Sequence, residues 1–316
     1  MKTPRSILYA LLWLPTVALE ADPAAAPDAP AISALAAARH DFHSALQPQA
    51  SNKEPVEPAP KKLFLTTKYP APAGNLAAYL TPDPKDGKKH PAIVWITGGD
   101  SNSIGDVWSP APRDNEQTAS AYRKAGVVMM FPSLRGGNDN PGQKEGFLGE
   151  VDDVLAAADF LAKQPYVDPT RIYLGGHSTG GTLALLVAES SNRFRATFAF
   201  GPAAEARDYG LPSRWIPADV SKPQENKLRS PLAWLASVQT PTWVIEGTEG
   251  NIEPLRDLAK VSTNAQVHFV AIQGASHFAT LAPTNELIAK KIVADTGAPG
   301  GLSLTEEEVN RLFAPR

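Results

Sequence analysis

The stretch RIYLGGHSTGGTLALLVA, residues 171–188, decides how the chain is read. Its first four residues are a strand-like apolar run, and its last six continue as an apolar helix. Between them Gly176-His177-Ser178-Thr179-Gly180 fits G-x-S-x-G. A strand passing directly into a helix through this pentapeptide is the setting of a nucleophile elbow. Glycines two before and two after the serine let strand and helix approach, and the sharp turn lifts the hydroxyl above the sheet. Gly181 extends that clearance. The Thr179 amide N–H then faces a developing oxyanion, helped by the positive end of the helix. A phosphate-binding glycine loop is the competing reading, but neither a Lys-Ser/Thr ending nor G-x-G-x-x-G spacing is present.

A serine nucleophile needs a base, and six histidines are available. His177 flanks the serine inside the elbow, His90 sits in a Lys-rich turn before a strand, and His268 lies within QVHFVAI. His40 and His43, in HDFH, have no neighbours to complete a metal-ligand set, so a solvated helix is the reading there. His277 differs. It stands in QGASHF, just after the last core strand, where the base of a Ser, acid, His chain order belongs.

Around this centre strands and helices alternate. Residues 63–67 and 75–80 read as a hairpin, and PAIVWI, 91–96, as a buried strand ending in Thr97-Gly98-Gly99. A helix over 116–124, a strand over 127–131 and an amphipathic helix over 150–163 follow. Further strands are expected at 171–175, 196–201, 241–246 and 266–272, with helices at 179–190, 253–262 and 283–294. Continuous apolar strands separated by helices predict a mainly parallel central sheet with helices on both faces. Roughly forty residues separate the strands ending at Gly201 and starting at Pro241, long for a connection and read as a small lid carrying Tyr209, Trp215 and Trp234. Trp108 is expected to line the same cavity.

The 316 residues, 43% hydrophobic, suffice for one large core. A net charge of −3 offers no basic field for nucleic acid. Cysteine is absent, which excludes disulfides, a thiol nucleophile and thiolate metal sites. No cofactor or metal is expected. Lys2 and Arg5 before ILYALLWLPTVAL have the form of a signal peptide over residues 1–21, with a periplasmic or secreted mature protein and no membrane span. Residues 22–62, rich in Ala and Pro, read as a linker broken by a short helix within 31–46. The main domain spans 63–296, and 297–316 form a tail with a short helix. Nothing in the sequence indicates an oligomeric state.

PAIVWITGG, AGVVMMFPSLRGG, the block from Gly149 to Ala188, SPLAWLASVQTPTWVIEGTE and GASHF together resemble the α/β-hydrolase superfamily. Within it the chain looks like the prolyl oligopeptidase catalytic domain and the related dienelactone-hydrolase-like esterases. The resemblance implies a Ser-acid-His hydrolase whose oxyanion hole pairs the Thr179 N–H with one near Gly98 or Gly99. In two respects the chain departs from the family. The 62 residues before Leu63 are too few for a β-propeller of at least about four blades, so gating by one is not expected. The family places its acid in HGxxD after the seventh strand, whereas this chain reads Glu246-Gly-Thr-Glu-Gly250, with glycine at the expected carboxylate.

Glu246, Glu249 and Asp208 are the alternatives for the acid. Glu246 is favoured because it ends an apolar strand at the carboxyl edge of the sheet, where His277 would pair an otherwise costly charge. Glu253 and Asp257 read as helix residues. The leading expectation is hydrolysis of a small or medium carboxylic ester through an acyl-enzyme on Ser178. Serine peptidase action is the alternative, and a non-catalytic binding protein is the third reading.

Overall fold

The computed structural model describes residues 33–48, 53–210, 215–298 and 300–314, and the export signal expected over residues 1–21 lies outside them. The strands are β1 (Leu65–Ala71), β2 (Gly74–Leu80), β3 (His90–Ile96), β4 (Val128–Pro132), β5 (Val167–His177), β6 (Thr197–Phe200), β7 (Thr242–Gly247) and β8 (Val267–Ile272). They form one sheet in the order β1-β2-β4-β3-β5-β6-β7-β8. The β1–β2 hairpin and the β2–β4 pair are antiparallel, and every later pairing is parallel.

Alternating side chains of the central strands feed two core layers, as the period of a strand requires. Val94 and Leu174 pack with Val154, Leu161, Leu183 and Leu186 on one face. These come from α3 (Glu150–Ala162) and α4 (Thr179–Ser190). Ile93, Trp95 and Tyr173 point the other way, toward Tyr122 of α2 (Ser120–Lys124) and Leu281, Ile288 and Ile292 of α7 (Leu281–Ala294). Coverage on both faces explains the unbroken apolar runs. The expected 116–124 helix begins only at Ser120, because Ala119 takes a left-handed backbone conformation (φ 48°) that a right-handed helix cannot include. Among the described residues no helix is long and apolar enough to cross a membrane.

The supposed linker needs correction. Ser33 caps α1 (Ala34–His40), accepting a hydrogen bond from the Ala36 N–H at 3.1 Å, and Leu35 is completely buried in the core. Burying one leucine contributes about 1.5–3 kcal/mol, so a few anchors hold a segment whose average composition looks disordered. Arg39 donates to the Leu148 carbonyl (2.7 Å) and to Asp152 (3.0 Å). Further on, Ser44 donates to Glu225 and the Gln47 N–H to the Pro217 carbonyl. Residues 33–47 therefore form a strap that runs from α3 and α4 at its helix to the β6–β7 insertion at Ser44 and Gln47.

Among its described residues that insertion carries α5 (Pro223–Leu228) and 3₁₀ turns at Ala206–Tyr209, Pro231–Ala233 and Leu235–Ser237. Its anchor is Arg229, fully buried, which donates to Glu225 (2.5 Å), Ser44 Oγ (2.9 Å) and twice to the Glu145 carbonyl (both 3.0 Å). At the other end α6 (Ile252–Val261) and α8 (Glu306–Asn310) flank β7 and β8. The tail is packed too: Leu302, Leu304 and Val309 are buried, and the Trp243 indole donates to the Leu304 carbonyl at 2.8 Å.

Candidate active site

β5 enters α4 through Ser178, whose φ of 56° and ψ of −117° are unusual for a residue with a side chain. Such strain costs about 1–3 kcal/mol and persists only where the surroundings enforce it. The bare Gly180 Cα makes room for the turn, because a Cβ there would lie 2.3 Å from the Ile96 carbonyl oxygen. Among the described residues the N–H groups of Gly98, Gly99 and Thr179 donate to no protein acceptor. Thr179 Oγ1 donates to the Gly99 carbonyl at 2.9 Å, which ties the elbow to the turn after β3.

At the carboxyl edge of β7, Glu246 is 1% exposed. One oxygen lies 2.6 Å from His277 Nδ1, and the other accepts the Gly247 N–H at 2.6 Å. A carboxylate on Nδ1 fixes the imidazole with its proton there, leaving Nε2 as the basic nitrogen. The glycine at the expected acid position has a spatial reason. A Cβ on Gly250 would come 2.5 Å from Glu246 Oε1 and 2.6 Å from the His277 backbone nitrogen. Gly201, just past β6, is packed similarly, its notional Cβ falling 2.3 Å from His277 Cε1. The sequence reading passed over Gly201, although a Gly-Pro pair ending an apolar strand at the carboxyl edge was a usable signal.

The other candidates stand apart from His277. Glu249 is exposed on the loop after β7, and Asp208 is exposed and accepts the Glu205 N–H at 2.8 Å. Glu253 pairs with Arg256 on α6. His268 stacks on Trp243, and His90 bonds Asp86. His40 bonds Asp41. Ser178 and Gly201 open on a cavity of about 550 Å³ walled by Pro202, Ala203, Tyr209 and Ile252, with Asp208 and Glu253 also lining it. Tyr209 is held by a 2.6 Å hydrogen bond to Thr182 Oγ1, and burial pushes its pKa up. Trp108 does not line this cavity: it packs edge-on against Tyr79 and borders a separate recess with Arg113 and Glu286. Trp234 lies against Lys227 instead of the cavity. Ser178 Oγ forms no hydrogen bond to His277 among the described residues. Such bonds are commonly long without substrate and tighten in the complex.

The sheet order, the elbow after β5 and the loop after β8 define an α/β-hydrolase-fold protein. The chain belongs to the prolyl oligopeptidase family, whose model matches residues 114–277. Dipeptidyl-peptidase 5 of Porphyromonas gingivalis is 32% identical over 136 residues, covering 40% of this chain and 19% of that protein. The chain spans a quarter or less of the curated relatives it matches, from 13% to 25% of their lengths. Among solved structures, puromycin hydrolase has a TM-score of 0.60 at 17% identity, over 78% of this chain and 42% of that one. For 2,6-dihydroxy-pseudo-oxynicotine hydrolase the TM-score is 0.58 at 14% identity, over 78% and 72%. These two likenesses speak for the fold alone.

Proposed function

We propose that the chain is a serine peptidase whose acyl-enzyme forms on Ser178, with His277 as base and Glu246 orienting it. The observation that carries this is the 2.6 Å Glu246–His277 hydrogen bond beside a strained elbow serine. His277 Nε2 takes the Ser178 hydroxyl proton as Oγ bonds to the scissile carbonyl carbon. The oxyanion so formed is received by the Thr179 N–H together with that of Gly98 or Gly99. Collapse breaks the C–N bond, and the leaving amine takes the proton from His277. Water then repeats the sequence on the acyl-enzyme, releasing the acid and restoring Ser178.

Family membership supports the peptide bond over the carboxylic ester that the sequence reading put first. The test is a panel of aminoacyl- and dipeptidyl-p-nitroanilides run beside p-nitrophenyl esters, with an alkyl fluorophosphonate as a label for Ser178. Anilide turnover that disappears in Ser178→Ala supports the proposal. Turnover confined to esters returns the chain to the ester reading, and absence of both turnover and labelling leaves a non-catalytic protein. We also propose export to the periplasm or medium, supported by the basic and then apolar pattern of the first 21 residues.

A further inference from the structure

The residue before the nucleophile is a histidine with no part in the mechanism above. His177 ends β5 and is 1% exposed. Its ring centroid lies 4.4 Å from that of His277, with the planes inclined at 40°. Phe278 completes an aromatic corner, 5.3 Å from His177 and 5.1 Å from His277. His177 Nε2 is 3.3 Å from the His277 carbonyl oxygen. A carbonyl only accepts, so Nε2 carries the proton and donates, and Nδ1 holds the lone pair. Among the described residues that Nδ1 is buried without a hydrogen-bond partner, beside Gly98, where an added Cβ would come within 3.1 Å of it. Burial first, and then His277 beside it, push the His177 pKa down to about 3. The ring therefore stays neutral at any pH at which His277 works as a base.

We propose that His177 is a positioning residue for His277: its ring face backs the imidazolium formed in each proton transfer, and its Nε2–H holds the His277 backbone. The inference rests on the reading of Ser178 and His277 as nucleophile and base. A cation within about 6 Å of an aromatic face is attracted to it, more strongly where water is excluded. The other groups facing His277 are accounted for. Glu246 of β7 meets Nδ1, and Gly201 after β6 brings no side chain. Thr280 Oγ1 donates to the same carbonyl as His177, at 3.0 Å. Asp208, Glu253 and Ser178 share the cavity, and Glu249 is exposed on its loop.

The experiment is the rate of Ser178 labelling by an alkyl fluorophosphonate as a function of pH, which needs no knowledge of the substrate. Labelling requires the base in its neutral form, so its acid limb reports how readily the imidazolium forms. Removing the ring face destabilises the imidazolium, so the limb moves to lower pH. In His177→Leu the acid limb should move down by about half a unit, and the plateau rate should fall by roughly tenfold. His177→Phe keeps the face and loses the donor, so its limb should stay with the wild type while its plateau drops. His177→Met, without a ring, carries the comparison if the leucine variant does not fold. A folded Leu or Met variant with an unmoved limb overturns the inference, as does a Phe variant that shifts as far as Leu. Wild-type protein that is not labelled at Ser178 overturns the site reading as well.

Discussion

Glu246 is the residue on which the site reading turns, because it occupies space that a side chain at position 250 would need. Glu246→Gln should lower kcat by about a hundredfold or more on an activated ester, the scale of a lost triad acid. Glu249→Gln and Asp208→Asn should stay near wild type, and a large loss in either with a mild Glu246→Gln would reverse the assignment. Gly201→Ala places a methyl against His277 and Glu246, so it should abolish fluorophosphonate labelling in protein whose circular dichroism is unchanged. A different residue bears on stability. Glu189, on α4, is fully buried with both carboxyl oxygens unpartnered among the described residues, and burial holds its pKa well above the ordinary range. Its folded pKa exceeds its unfolded one, so its contribution is full below the unfolded pKa and declines as pH rises through the folded one. Urea unfolding from pH 4 to 8 should show wild type losing stability relative to Glu189→Gln as pH rises, by up to about 1.4 kcal/mol per pH unit. Parallel curves would mean that Glu189 is ionised and paired in solution.

At the scale of elements, the strap and the insertion stand or fall together. Glu225→Ala leaves Arg229 as a buried unpaired cation and should cost about 3–5 kcal/mol in urea unfolding. Ser44→Ala removes one hydrogen bond from each of those charged groups and should cost less, about 1.5–3 kcal/mol. An unaltered midpoint for Ser44→Ala would mean that the strap is not held there. These contacts also show where sequence reading runs out. Strands and helices that bury a periodic face were legible, as was the elbow, whose glycines are dictated by backbone contact. The pairing of Glu246 with His277 was legible because a carboxylate ending a buried strand needs a partner. Residues 33–47 were not, because Leu35, Arg39 and Ser44 act singly on distant partners and leave no local pattern. Trp108 was misplaced for the same reason: its position depends on Tyr79, which no spacing links to it.

For the whole molecule, the parallel order of β5 to β8 gathers residues far apart in the chain at one sheet edge. Ser178, Gly201, Glu246 and His277 each follow or end a successive strand of that order. If residues 1–21 are removed on export, Edman sequencing of protein from the periplasm or medium should begin near Asp22. An intact Met1 in a membrane fraction would contradict it.

The clasp between Ser44 and the Glu225–Arg229 pair joins positions 181 and 185 residues apart. Ser44 leaves the ribosome long before its partners exist. At about 5–20 residues per second the wait is roughly 10 to 35 s, during which Ser44 has no partner to close on. The strap is therefore a late event in the life of the chain, docking onto a body that has largely folded without it. In refolding it should gain amide protection from hydrogen exchange after the central strands have done so.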